Sequence, residues 1–210
     1  MSLGAVVPVA ISARHVHLTS AHVARLFGPD HVLSTHSSLA QPGQFAAVET
    51  VTLVGPRGEL PHVRVVGPPR TEDQVEVSRS DALKLGLDAP VRASGKLAGT
   101  PGVTLIGPAG TITLDHGVVI AKRHIHMTPD DARCFGVHDH EIVEVAVDSR
   151  GRDLVFGDVV VRVSSDYRLE FHLDTDEGNA AGLHDGDPVR LLTPVMVRAQ
   201  LKRSIDPKRP

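Results

Sequence analysis

Two segments of this chain carry the same run of reactive side chains, Arg14-His15-Val16-His17-Leu18-Thr19 and Arg123-His124-Ile125-His126-Met127-Thr128. Histidines at i and i+2 on a β-strand leave the same face, because successive side chains point to opposite sides, so both imidazoles of each pair project together. Such a pair chelates a divalent metal ion, and its duplication within R-H-h-H-h-T, with h apolar, points to metal ligation or catalysis. A second alignment nominates a further ligand in each half. Val75-Glu76-Val77, before Ser80 to Leu87 and Pro90-Val91-Arg92, matches Phe171-His172-Leu173, before Asn179 to Leu183 and Pro188-Val189-Arg190, so Glu76 falls opposite His172. One candidate site is then His15, His17 and Glu76, and the other is His124, His126 and His172. Three protein ligands leave a position for water or substrate, the pattern of catalytic zinc. Taken alone, Glu76 reads as an exposed strand carboxylate and His172 as a core histidine satisfied by a carbonyl; both gain their standing from the alignment.

The elements that must hold these residues are short. After each histidine pair a threonine can cap a helix that stops at Phe-Gly: Thr19 to Phe27-Gly28, and Thr128 to Phe135-Gly136, one residue shorter. Pro129 suits a first helical position, Asp130 and Asp131 suit the positive end of the dipole, and glycine suits a left-handed stop. Val51 to Gly58 and Val103 to Gly110 are strand-turn units punctuated by Gly-Pro, and Asp148 to Gly151 is a turn before the alternating run Val159 to Val163. Many short strands at such spacing imply closed β-barrels. The expected fold is mainly β with short helices: two similar β-barrel domains from an internal duplication, over residues 5–100 and 101–197, then a mobile charged tail over 198–210. Ala93 to Pro101, rich in Gly, Ser and Ala, reads as the linker.

Composition narrows the functions. Aromatic residues make up 3% of the 210 residues and the formal charge is -3, which leaves no broad basic surface or stacking platform for nucleic acid. No run reaches membrane-spanning length, and Met1 to Ala10 is too short and uncharged for a signal peptide. One cysteine, Cys134, rules out an internal disulfide, fits a reducing compartment, and reads as a small buried apolar residue of the second helix. Arg14 and Arg123 point away from the adjacent histidines, either to carboxylates of the other lobe or to substrate. His22, His31, His36, His138 and His140 lack a repeat partner and read as solvent or loop residues.

Val9 to Leu18, Gln74-Val75-Glu76-Val77-Ser78, Ala121 to Met127 and His172-Leu173-Asp174-Thr175-Asp176-Glu177-Gly178-Asn179-Ala180-Ala181-Gly182 resemble the phosphotransacylases of the PduL type, the phosphate propanoyltransferases, and the resemblance runs from about Pro8 to Val195. It implies a two-barrel enzyme with two zinc ions per chain that interconverts acyl-CoA and phosphate with acyl phosphate and coenzyme A. The family's zinc ligands fall on the six residues above, its phosphate-binding arginine on Arg70, and its CoA contacts on Ser12, Arg64 and Asn179. It also implies a homodimer, the commonest closed assembly, and a setting in propanediol degradation. Some members carry an N-terminal extension that directs them into bacterial microcompartments; this chain begins almost at the shared core, which favours free cytoplasm and leaves a microcompartment, with shell association, as the other location.

The chemistry suits these residues. A guanidinium fork can hold phosphate oxygens while one attacks a thioester, and zinc favours a thiolate leaving group. Zinc, Arg70 or a backbone N–H can each stabilise the oxyanion. Two other readings compete: a dinuclear zinc hydrolase of thioesters or phosphoesters, active without phosphate, and a zinc-stabilised binding domain, which would need closed four-ligand sites.

Overall fold

The register of the short strands decides where every candidate ligand points. In the computed structural model, which describes residues 6–149 and 151–192, the chain runs β1 (Val6–Ser12), β2 (His15–His17), α1 (Ser20–Phe27), β3 (Thr35–Ser38), β4 (Phe45–Val54), β5 (Glu59–Gly67), β6 (Gln74–Glu76), α2 (Arg79–Leu85) and β7 (Val91–Arg92). It continues through β8 (Val103–Ile106), β9 (Thr111–Leu114), β10 (Val118–Ala121), β11 (His124–Met127), α3 (Pro129–Phe135), β12 (Ile142–Val147), β13 (Leu154–Val163), β14 (Glu170–Asp174), α4 (Thr175–Ala181) and β15 (Pro188–Leu192). The charged tail expected over 198–210 lies outside the described residues.

The fold is mainly β, with two barrel-like domains. One sheet is a closed barrel in the order β1-β14-β11-β13-β12-β15; the other is a nine-stranded curled sheet in the order β7-β10-β6-β2-β5-β4-β8-β9, with β3 added on β4. The division expected at residue 100 differs from the compact units, which are Ser12–Lys122 with Asp174–Glu177, and the other described residues. β8 pairs with β4, and β10 pairs with β6 and β7, which holds all of 103–121 in the first unit. β1 pairs with β15 and so belongs to the second. The strand before each histidine pair is therefore exchanged: β1 precedes β2 yet builds the closed barrel, and β10 precedes β11 yet builds the curled sheet.

Each sheet buries alternate residues of these strands. Val16 and Val75 enter the core of the first unit, and Ile125, Phe171 and Leu173 that of the second. The period of two then sends His15, His17, Gln74 and Glu76, or His124, His126, Glu170 and His172, to the opposite face. A slip of one residue would turn the candidate ligands into the apolar core and the valines out of it, so the apolar pattern fixes the register.

Helix ends lock the same strands in place. Thr19, Ser78 and Thr128 cap α1, α2 and α3, and Thr128 forms a full capping box with Asp131. Gly136 takes the left-handed stop at φ 68, whereas Gly28, at φ 116 and ψ 156, ends α1 without it. The two Gly-Pro turns seat on helix ends: Arg57 N–H donates to Leu85 O and Ala109 N–H to Leu26 O, at 3.1 and 2.9 Å. A Cβ on Gly55 or Gly107 would come within 2.3 or 2.5 Å of those same carbonyl oxygens, so only glycine permits the approach.

Three further segments depart from what the sequence led us to expect. Ala93 to Pro101 is no linker between units but part of the first one, with Leu97 buried and Ser94 and Gly95 bonded to Gln74. Cys134 is exposed, because α3 buries Ala132 and residue 134 lies about 200° further round the helix. Arg14 pairs with Asp81 of α2 at 2.8 Å, a carboxylate of its own unit.

Candidate metal centres

The strand pairing brings each set of three candidate ligands together. β2 and β6 pair antiparallel with His15 across from Glu76, and β11 and β14 pair antiparallel with His124 across from His172. In each set one ligand atom per residue lies within 4.8 Å of the others.

In the first cluster the tautomers are set by backbone. His15 Nδ1 donates to Ala13 O at 2.8 Å and His17 Nδ1 to Val66 O at 3.3 Å. A carbonyl only accepts, so Nδ1 carries the proton in both rings and each Nε2 keeps its lone pair for a metal. Those lone-pair nitrogens lie 3.6 and 4.0 Å from the Glu76 carboxylate oxygens. Glu76 is oriented in turn by Gln74, which is buried across from His17 and donates to Glu76 Oε1 at 2.5 Å. Gln74 Nε2 also donates to Ser94 Oγ at 3.0 Å, and Gly95 N–H donates to Gln74 Oε1 at 2.8 Å.

Arg70 stands at the same cluster. Its Nη1 donates to Ser94 Oγ at 3.3 Å and its backbone N–H to Leu18 O at 2.8 Å. Asp73, three residues on, accepts from Thr19 N–H at 2.8 Å and lies 2.6 Å from His22 Nδ1, so the loop carrying Arg70 is stitched to the chain just after the histidine pair. His22 is therefore held by Asp73, and His31 by Glu49 at 2.8 Å, rather than free in solvent.

In the second cluster the rings pack on one another. Ring centroids of His124, His126 and His172 lie 4.6 to 4.8 Å apart, and His124 stacks on His172 at 3°. His126 is 7% exposed, and neither of its ring nitrogens has a hydrogen-bond partner; His172 Nε2 has none either. Glu170 Oε2 is 3.0 Å from that Nε2 but out of line for a hydrogen bond. Buried polar atoms left unpaired cost roughly 1–3 kcal/mol each, and one unpaired nitrogen on each of the two converging imidazoles fits a bound cation.

The residues expected to contact CoA lie on three elements. Ser12 ends β1, and Asn179 is exposed on α4. Arg64 lies across from His15 on β5 and donates Nη1 to Ala47 O at 2.5 Å and to Val48 O at 3.4 Å. Gln74, Ser94, Glu170, Arg162 and Tyr167 surround the clusters without having been singled out by spacing.

Burial holds both inner histidines neutral. It pushes His17 down to about 2, with the neighbouring His15 and Arg70 adding to it and the bond to Val66 opposing it. Burial likewise pushes His126 down to about 2, aided by His124, His172 and Arg162. Both rings are therefore deprotonated, as metal ligands must be.

A family model described as phosphate propanoyltransferase matches residues 8–184. The chain is 54% identical over 184 residues to the phosphate propanoyltransferase of Thermotoga maritima, covering 88% of each chain. It is 54% identical over 176 residues to that of Citrobacter rodentium and 51% over 176 residues to that of Salmonella typhimurium, covering 84% of this chain and 83% of either relative.

The depressed histidines predict how the metal-free protein responds to acid. The unfolded chain takes up protons at these rings below about pH 6.5 while the folded one does not, so stability is full above that pH and is lost as pH falls towards 2. Each ring contributes on the order of 1.4 kcal/mol of loss per pH unit. Urea unfolding of chelator-treated protein at pH 7.5 and 5.5 should show the drop, and His126→Phe should remove about half of it. Equal stability at both pH values would contradict the burial assignment.

Proposed function

The chain belongs to the phosphate propanoyltransferase family and is an acyltransferase, and from that premise we propose that it holds two zinc ions and exchanges CoA for phosphate on a propanoyl or acetyl group. The observation that carries this reading is the pair of three-ligand clusters built in one strand register. One ion would be held by His15, His17 and Glu76 and the other by His124, His126 and His172. Both donor sets suit zinc and leave room for an exchangeable ligand. Zinc, when bound, supplies a charge that polarises oxygen ligands and makes a coordinated thiol deprotonate.

Arg70 binds phosphate in this proposal. Its planar fork takes two oxygens and leaves a third to attack the thioester carbonyl, forming the O–C bond as the C–S bond breaks and sulfur departs as thiolate. Ser94 and the Leu18 carbonyl hold Arg70 in position, and Gln74 orients Glu76, so the oxygen-rich cluster suits phosphate and the three imidazoles suit sulfur. Glu170 beside His172 means that this preference rests on which groups ligate, not on local charge alone. Ser12 and Asn179 remain proposed CoA contacts, and Arg64 offers CoA the N–H groups it does not give to Ala47 and Val48. A homodimer, in the cytoplasm or a microcompartment, belongs to the proposal on the resemblance alone.

Thiol release from propanoyl-CoA should require phosphate and should vanish on chelation. Release without phosphate would identify a hydrolase instead. In the same assay Arg70→Lys should raise the KM for phosphate with zinc content and Tm near wild type, and Arg70→Ala should cost about 2–4 kcal/mol of transition-state stabilisation. Unchanged phosphate dependence in both variants would remove Arg70 from the site.

A further inference from the structure

The three-histidine cluster has a cationic neighbour that no motif marked. β13 runs parallel to β11 with Arg162 across from His126, while β14 places Glu170 across from His126 on the other side. Cross-strand neighbours share a face, so Arg162 leaves the sheet on the side of His124, His126 and His172. Arg162 is half-buried, and among the described residues it makes neither a hydrogen bond nor an ion pair. Its guanidinium instead lies over the ring of Tyr167, with Cζ 5.6 Å from the centroid. Tyr167 in turn stacks on His126, with centroids 4.1 Å apart at 20°.

This arrangement fixes a guanidinium without using its donors. Contact with an aromatic face restrains the side chain while leaving its N–H fork open, and a half-buried fork without acceptors gains most from an anion that matches its planar geometry. We propose that Arg162, held against Tyr167 beside His126, binds a phosphate-type oxyanion of the substrate at the three-histidine cluster. The ligand class rests on the acyltransferase reading, since the charged groups of phosphate, acyl phosphate and CoA are all phosphates. The anchor itself rests on the residues of this cluster.

The chain supplies its own reporter, because it contains one tyrosine and no tryptophan, so intrinsic emission comes from Tyr167. Purified protein of measured metal content is titrated with inorganic phosphate and, separately, with 4′-phosphopantetheine, which carries the thiol arm and a phosphate of CoA without the absorbing adenine. At least one ligand should change the emission saturably. Its affinity should fall by about tenfold or more in Arg162→Gln and recover in part in Arg162→Lys, which keeps charge but not the fork. Should Arg162→Gln fail to fold, Arg162→Lys alone carries the comparison, with a weaker affinity expected than in wild type. A response to inorganic phosphate identifies free or acyl phosphate as the source, and a response confined to phosphopantetheine identifies CoA. Emission indifferent to both ligands in wild type, or equal affinities in wild type and variants, overturns the assignment. The titration is read without turnover, so an active transferase whose emission ignores both ligands loses Arg162 alone, and an inactive protein that binds through Arg162 loses only the acyl-transfer reading.

Discussion

Antiparallel pairing of a histidine strand with the strand carrying Glu76 or His172 is the constraint on which both candidate centres depend. His15 faces Glu76 and His124 faces His172 in one register, and the same pairing sets Gln74 beside His17 and Glu170 beside His126. Because side chains alternate, the valines and aromatics between these positions must enter the core whenever the ligands converge outside it. Folding and ligand convergence are thus one event. The buried apolar residues Val16, Val75, Ile125 and Phe171 supply the free energy that holds the imidazoles in place.

Convergence has an electrostatic consequence. Packing His17 and His126 away from water, with Arg70 near the one and Arg162 near the other, makes protonation unfavourable, so both rings present lone pairs at neutral pH. The same packing leaves His126 without hydrogen bonds, a local instability that a bound cation would offset. The two centres reach this state differently. Backbone carbonyls and Gln74 orient the first, whereas the second is built of two stacked rings met edge-on by His126 and bordered by Tyr167, Glu170 and Arg162.

The grouping of His15, His17 and Glu76, and of His124, His126 and His172, was legible because the duplication repeats these residues at matching distances, and period-two alternation then puts them on one face. The barrel-like character of both domains was legible from strand spacing, but the exchange of β1 and β10 was not, since a strand's sequence carries its faces and not its neighbours. Gln74 and Glu170 occupy matching positions with different side chains, so a search for repeated identity passes over them. Ser94 and Gly95 have a linker's composition and serve as hydrogen-bond partners of Gln74, a role set by tertiary contact. Cys134 was misplaced because α3 is too short for apolar periodicity to fix its buried face.

If each of the two strand pairings builds a three-ligand metal centre, bound zinc must sit at both. Zinc-edge anomalous diffraction from crystals of the zinc-loaded protein locates the ions most directly. Two peaks per chain should appear, one bonded to His15 Nε2, His17 Nε2 and Glu76 and the other to His124, His126 and His172, each about 2.0–2.2 Å from its ligand atoms. A single peak, or peaks ligated by residues outside these pairings, would contradict the account.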